Sequence, residues 1–385
     1  MVAEQDSGVE SYRDRFPIFN ERTYVNSCSQ GALANEVRAA YETYLHGLEE
    51  FGSLWETWVG VQERVRSGLA RTFSCDESEV AITSCVSSAV SAIASSFDFT
   101  QQRNTVVTTS LEFPTIGQIW HAQERRGARV VHVPAAQDIE LSASAIADAI
   151  DDSTALVSVT HVCYRNGAMT PISEIVEIAH ARGVPVLVDA YQSVGAVPID
   201  FHEMGADFLV GGVLKYMLGS PGVGFALVNG ATTAEFIPTS TGWFAARDIF
   251  AMDIYDFDPA KDARRFESGT PVVPSLYAAE AGLQLLNEVG VDRAWAVSRE
   301  LHEQLRGGIE HLGGRVVTPR NDHGPMIAVA ARDEHALVEA MASDGVVVSC
   351  RDGNVRISPH FYNNSADMDA VLASLARHQH WLATA

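Results

Sequence analysis

The sequence predicts an α/β fold, with a large domain built on a mostly parallel seven-stranded sheet and a smaller α+β domain after it. Two observations carry this. Between about residues 80 and 228, short β-rich runs alternate with helical patterns, and after about residue 242 the alternation gives way to longer helical patterns. The expected strands are Val80–Ile82, Asn104–Thr108, Arg129–Val133, Ala155–Thr160, Pro185–Asp189, Phe208–Gly211 and Gly224–Val228. Amphipathic stretches such as Leu141–Ile150 and Pro171–Arg182 lie between them. They are long enough for crossovers that cover both faces of a parallel sheet. Farther on, helices are expected near Ser275–Val289 and Asp292–Leu312, then short strands and a terminal helix from Ser365. The expected division is a segment 1–30 that packs with the small domain, a large domain 31–245 and a small domain 246–385.

Composition narrows the function. Of 385 residues, 46% are apolar and 20% charged, as in ordinary globular chains. A formal charge of −22 argues against nucleic acid or an anionic membrane as partner. No apolar run approaches the roughly 20 residues of a membrane span, and Met1–Ser7 lacks the basic and apolar regions of a secretory signal. Five scattered cysteines without a C-x-x-C pair speak against a disulfide framework and for a cytoplasmic location. The 13 histidines form no H-x-x-x-H or H-E-x-x-H pattern, so no metal site is expected.

Chemistry concentrates at the expected strand ends, where ligands of such sheets collect. Only two lysines occur, Lys215 and Lys261, against 25 arginines. A lysine amine can lose its proton and attack a carbonyl, whereas arginine stays charged. Lys215 follows an apolar run and precedes a Gly/Pro-rich turn, a placement that suits a Schiff base. Asp189 closes the run Val184–Asp189, and Ser84 and Thr160 close two others, which puts four polar residues on one rim. A buried carboxylate needs a positive partner. A protonated pyridine nitrogen is one such partner, and a simple turn cap paired with Lys215 is the other reading. Thr83–Ala94 runs from a strand end into a helix beginning near Ser87. This is either a phosphate site or an ordinary cap by Ser87 or Ser88. Phe113 has the position of a ring over a planar cofactor, or of a core residue. Arg356, with Arg351 as second candidate, suits a substrate carboxylate or a surface ion pair.

Several segments together resemble one family. They are Val188-Asp-Ala-Tyr-Gln-Ser-Val-Gly-Ala-Val-Pro-Ile-Asp200, Gly205-Ala-Asp-Phe208, the stretch from Lys215 to Phe225, Arg265-Phe-Glu-Ser-Gly-Thr-Pro271 and Arg356-Ile-Ser-Pro-His-Phe-Tyr-Asn363. In order and spacing they resemble the class V aminotransferase group of pyridoxal-phosphate enzymes, which includes cysteine desulfurases, isopenicillin-N-epimerase-like proteins and kynureninases. The resemblance implies fold type I and pyridoxal 5′-phosphate. By it, Lys215 forms the Schiff base, Asp189 meets the pyridine nitrogen and Gln192 the phenolic oxygen. Val86 and Ser87 belong to the phosphate loop, Phe113 stacks on the ring, and Thr160 joins the cofactor set. Gly269 and Thr270 reach the phosphate of a neighbouring subunit, which implies a homodimer with shared active sites. Arg356 takes the substrate carboxylate, and the loop holding Asn26 and Ser27 closes over an amino-acid substrate. Trp243 and Tyr164, with Trp55 and Tyr216, are candidate aromatic walls.

The sequence also departs from the family. Where many desulfurases have Ser-x-His before the lysine, this chain has Gly212 and Leu214. Only Asp352–Val355 separates Arg351 from Arg356, too little for the desulfurase loop with its nucleophilic cysteine. Cys350 reads as an inert thiol on a strand. Phe113-Pro-Thr and Thr241-Gly-Trp-Phe244 look more like kynureninases and epimerase-like proteins, but kynureninases have an acid where this chain has Ile116. The expectation is a carbon–sulfur β-lyase acting on a cysteine S-conjugate, giving a thiol, a 2-oxo acid and ammonia. Transamination, epimerisation and a decarboxylating reaction use the same core residues, and an inactive small-molecule-binding relative is the non-enzymatic alternative.

Overall fold

A computed structural model describes residues 9–136 and 139–384. After short 3-10 turns, the two-residue strand β1 (Thr23–Tyr24) precedes two long helices, α1 (Asn35–Phe51) and α2 (Trp55–Thr72). The alternating region is β2 (Val80–Thr83), α3 (Val86–Ser95), β3 (Thr105–Thr109), α4 (Pro114–Gln123), β4 (Arg129–Val133), α5 (Ala143–Ala149), β5 (Thr154–Thr160), α6 (Ile172–His180), β6 (Val186–Asp189), α7 (Phe201–Met204), β7 (Phe208–Gly212) and β8 (Gly224–Val228). Next come α8 (Val273–Val289), α9 (Val291–His311), β9 (Ile327–Ala330), α10 (Glu334–Ser343), β10 (Val346–Val347), β11 (Ser349–Arg351), β12 (Asn354–Ile357) and α11 (Ser365–Arg377).

The seven expected strands form one sheet in the order β2-β8-β7-β6-β5-β3-β4. Only β8 runs against its neighbours. Every residue of β3, β5, β6, β7 and β8 is buried, the continuous pattern of a sheet covered on both faces. The carboxyl ends of β2, β3, β5, β6 and β7 share one edge. Two apolar clusters fill the two faces, one around Val107, Val159 and Val188, the other around Ile93, Trp120 and Phe208.

A three-stranded antiparallel sheet, β11-β12-β9, packs with α9, α10 and α11 around Leu305, Ile327 and Val371. The buried positions of α9, Ala294, Ser298, Leu301, His302, Leu305, Arg306 and Ile309, recur at helical spacing and form its inward stripe. The N-terminal strand β1 pairs with β10. Chain order and packing diverge after residue 246. Ala263 and Phe266 join the cluster on one face of the large sheet, and α8 buries Leu276, Ala279, Leu283 and Leu286 in the other. We therefore propose that the small unit begins after Val289 rather than at 246.

Candidate active site

Parallel pairing sets the site. Thr160 on β5 faces Asp189 on β6, and Asp189 faces Val210 on β7, so three strand ends open at one level. Beyond them lies a cavity of about 270 Å³. Among its walls are eight of the predicted residues: Val86, Ser87, Phe113, Thr160, Tyr164, Asp189, Gln192 and Lys215. Cys85, Thr115, Val162, Tyr191 and Leu214 complete it, without having been assigned to the site from the sequence. Tyr191 was hidden between Asp189 and Gln192 in the motif. Its signal is Gly212, whose missing side chain leaves room for the ring.

The electrostatics are those of a site with an unmade bond. Burial pushes the Asp189 carboxyl up, and the Tyr191 N–H donated to its Oδ1 at 2.9 Å and the charge of Lys215 oppose that. Burial lowers the Lys215 amine to about 8, against the raising influence of Cys28 and Asp189, while Arg356 and Arg351 lower it further. An amine ionising there is partly neutral near physiological pH, as a nucleophile requires. Its Nζ lies 4.3 Å from the centroid of the Tyr191 ring. Gln192 donates Nε2–H to Cys28 O at 3.2 Å and leaves Oε1 buried without a partner. Phe113 is 44% exposed at the cavity and meets Tyr164 edge-on at 5.0 Å.

The start of α3 differs from the expected serine cap. Its N-cap is Cys85, in extended conformation and without a side-chain cap. Ser84 Oγ instead meets Ser88 Oγ at 3.0 Å, and Ser87 Oγ lies 3.3 Å from Thr115 Oγ1. Glu112, just before Phe113, carries no sequence signal of its burial. Its Oε1 accepts Thr160 N–H at 2.9 Å and Thr109 Oγ1–H at 2.8 Å, and its Oε2 is buried without a partner. Burial raises this carboxyl to about 8, with the charge of Asp189 adding to the rise.

The other predicted residues lie outside the cavity wall. Arg356 is buried behind it, donating from Nη1 to Tyr164 O at 2.9 Å and from Nη2 to Ser349 Oγ at 3.0 Å and Ser29 Oγ at 3.3 Å, with Nε unpartnered. Asn26 bridges to Ser358. Ser27 lies in the turn that Asn26 opens, where Ser29 N–H and Gln30 N–H return to Asn26 O, and it hydrogen-bonds Tyr362 Oη at 2.7 Å, fully buried. Neither Asn26 nor Ser27 lines the cavity. Trp243 packs on Trp55 at 5.6 Å and Phe244 at 4.5 Å. Tyr216 is core, its hydroxyl donated to Pro325 O at 3.2 Å. Gly269 and Thr270 are exposed. Among the described residues, no cluster of three His, Cys, Asp or Glu side chains has metal-binding geometry, and no helix is long and apolar enough to cross a membrane.

The sequence profile of the aminotransferase class-V family matches residues 37–375. The chain belongs to this family. A Bacillus subtilis (strain 168) protein described as an uncharacterized aminotransferase, YcbU, is 34% identical, covering 95% of this chain and 97% of that protein. A probable cysteine desulfurase of Methanothermobacter thermautotrophicus is 27% identical, over 94% of this chain and 96% of the other. A kynureninase of Geobacillus thermodenitrificans is 25% identical, over 92% and 88%. Among solved structures, a variant of C-DES with glycine covalently linked to its PLP cofactor superposes with a TM-score of 0.88 at 24% identity. It covers 94% of this chain and 98% of its own. The apo cysteine desulfurase of Thermococcus onnurineus NA1 reaches 0.86 at 20%, covering 98% and 99%. This class-V protein is a pyridoxal-phosphate-dependent enzyme of fold type I. The cavity fits that cofactor. It joins a lysine whose ionisation burial lowers, a buried acid, an orphaned amide oxygen and the start of a helix in one enclosure.

Proposed function

We propose that the protein is a homodimeric, cytoplasmic carbon–sulfur β-lyase. It converts a cysteine S-conjugate and water into a thiol, a 2-oxo acid and ammonia. In this reading Lys215 holds the cofactor covalently, Asp189 keeps its ring nitrogen protonated, and Gln192 donates Nε2–H to its phenolic oxygen in place of Cys28 O. Val86 and Ser87, at the positive end of α3, take the phosphate. Phe113 covers the ring, and Thr160 borders it. Gly269 and Thr270 of each subunit reach the other's phosphate.

Pyridoxal phosphate supplies an electron sink that lets a bond at the substrate's α-carbon break. The chain does the rest. Arg356, held behind the cavity wall by Tyr164 O, Ser349 and Ser29, takes the substrate carboxylate once the Tyr164 segment that covers it gives way. Lys215 Nζ, released when the substrate's own amine replaces it on the cofactor, would then be the free amine that takes the proton from the α-carbon. The apolar walls Val86, Phe113, Val162 and Leu214 keep water from the reacting atoms.

The hairpin of β11 and β12 carries the choice of lyase over desulfurase. Its turn residues Asp352 and Gly353 both have positive φ, 56° and 78°, the form that joins two strands most tightly. No loop remains there for a sulfur-carrying thiol. Cys350 sits on the strand with its thiol pushed up, by burial first and by the charge of Glu334 next. The fold neighbours include the cystine C–S lyase C-DES in complex with cysteine persulfide, which accords with this reading. A transaminase is the second reading, favoured by the 34% identical relative described as an aminotransferase. Support for the dimer comes from an exposed apolar segment: Phe250, Met252, Ile254, Tyr255 and Phe257, with Ile254 83% and Tyr255 94% exposed.

The test is product analysis by mass spectrometry after incubating the cofactor-loaded protein with a panel of amino acids and cysteine conjugates. Thiol, 2-oxo acid and ammonia in equal amounts are expected. An amino-exchange product that needs a second 2-oxo acid would make the protein a transaminase, and persulfide on Cys350 would make it a desulfurase.

A further inference from the structure

We propose that Tyr191 is a cofactor-binding residue of this site, its hydroxyl donating to the phosphate and its ring face holding the amine of Lys215. The inference rests on the pyridoxal-phosphate assignment. It gives a role to a side chain that neither the motif spacing nor the family likeness singles out.

The argument begins with two facing glycines. Gly212 at the end of β7 and Gly224 at the start of β8 are directly paired. Side chains at such a pair leave the sheet on the same face, about 5 Å apart. A Cβ on Gly212 would come within 2.5 Å of Tyr191 Cε2 and 2.9 Å of Tyr191 Oη. A Cβ on Gly224 would come within 2.6 Å of the Cys85 carbonyl carbon and 2.8 Å of Val86 N. The two missing side chains therefore clear adjacent floor spaces, one for the phenol and one for the first residues of α3. This places the Tyr191 hydroxyl beside the start of α3, where the helix presents its positive end to an anion.

Three further observations agree. Tyr191 lines the cavity together with Cys85, Val86 and Ser87, and its hydroxyl makes no hydrogen bond among the described residues. Burial first, then the charges of Asp189 and Cys85, push the phenol up to about 12, so it remains a donor at neutral pH. Lys215 Nζ stands 4.3 Å from the ring centroid, within range of a cation–π contact. The backbone N–H of Tyr191 also ties to Asp189 Oδ1, so one residue touches the acid, the amine and the anion site. The departure at Gly212 and Leu214 then has a physical reading. The space that a serine side chain would take at 212 is filled by an aromatic ring from the neighbouring strand end, which brings its own hydroxyl.

The hydroxyl and the ring separate experimentally. Tyr191→Phe keeps the ring, and is expected to raise the dissociation constant for pyridoxal phosphate about tenfold, read from visible absorbance, as for loss of one hydrogen bond to a charged group. The pH midpoint for acylation of Lys215 in the cofactor-free protein stays where it is. Tyr191→Ala weakens cofactor binding at least as much and moves that midpoint down, because the cation loses its ring. Gly212→Ser alone collides with the ring and weakens binding. Combined with Tyr191→Ala, it returns a hydroxyl to the vacated space and recovers affinity. Wild-type affinity in Tyr191→Phe, or a double variant no better than Tyr191→Ala, would overturn the proposal. A wild-type protein that binds no pyridoxal phosphate would instead overturn the assignment beneath it.

Discussion

Two buried charge clusters in the large unit are built to opposite rules. In the first, Arg66 and Glu267 tie α2 to β2 and to the segment before Gly269. Arg66 donates to Glu267 Oε1 at 2.8 Å, to both oxygens of Glu63 at 3.0 and 3.1 Å, and to Val80 O. Glu267 also accepts Ile82 N–H at 2.9 Å and Gln62 Nε2–H at 3.0 Å, so both charges are partnered, and the orphan in this cluster is the neutral Gln62 Oε1. Desolvation alone would lower the Arg66 ionisation, yet the charges of Glu267 and Glu63 raise it. In the second cluster, Lys215 has an aromatic face in place of an acceptor, and Glu112 and Gln192 each keep an orphaned oxygen. Burial drives Lys215 toward neutrality. Completed networks hold a fold, whereas groups left short of partners wait for a ligand. The contrast shows which buried charges are structural and which belong to the chemistry.

Breaking the completed cluster has the largest effect on stability. Arg66→Leu leaves Glu267 buried and unpaired, and is expected to cost about 3–5 kcal/mol in urea unfolding. Loss of less than about 1 kcal/mol would show that Glu267 finds water or a proton at no cost, and would erase the contrast.

Glu112 sharpens the comparison from the other side. Its folded ionisation lies near 8, above the ordinary 4.5. The folded state therefore holds a proton that the unfolded state has lost between those values. That stabilisation is full below about 4.5 and is lost as pH rises toward 8. Glu112→Gln, which is neutral throughout, should show a flatter unfolding free energy from pH 5 to 8, the two curves diverging by on the order of 3 kcal/mol. Parallel curves would mean that the carboxyl is ionised in the fold.

The smallest effect concerns Lys215 in the cofactor-free protein. Its folded ionisation is depressed, so stability rises with pH between about 8 and 10.5, and at pH 7 the fold carries an unfavourable ammonium. Lys215→Met, similar in length and uncharged, should stabilise the cofactor-free protein at pH 7 by about 1 kcal/mol while abolishing covalent cofactor binding. A destabilised variant would place Lys215 among the structural charges.

The sheet was legible because its strands are short, apolar and separated by helices. The observed β4 and β8 coincide with the runs read from the sequence, β3 is shifted by one residue at both ends, and the others differ by a residue at one end. Residues 35–72 were not assigned, and α1 shows why: it buries only Val37, so no clean stripe marks it. Asp189 and Lys215 were legible because a charge ending an apolar run is costly without a reason. Tyr191 and Glu112 were not, since their roles depend on space left by Gly212 and on a Thr160 N–H some 50 residues away. Ser27 and Tyr216 neighbour site residues in sequence, but a turn with a buried bond to Tyr362 and core packing against Pro325 keep them out of the cavity.

The central claim is that Lys215, facing Asp189 across the cavity, is the amine that binds the cofactor. Reduction of the pyridoxal-phosphate-loaded protein with borohydride, followed by peptide mass spectrometry, tests it directly, because the chain offers only Lys215 and Lys261 as side-chain amines. One phosphopyridoxyl group per chain on the Lys215 peptide is the expected result. A label on Lys261, or none on Lys215 under conditions where the protein turns over, would contradict the account.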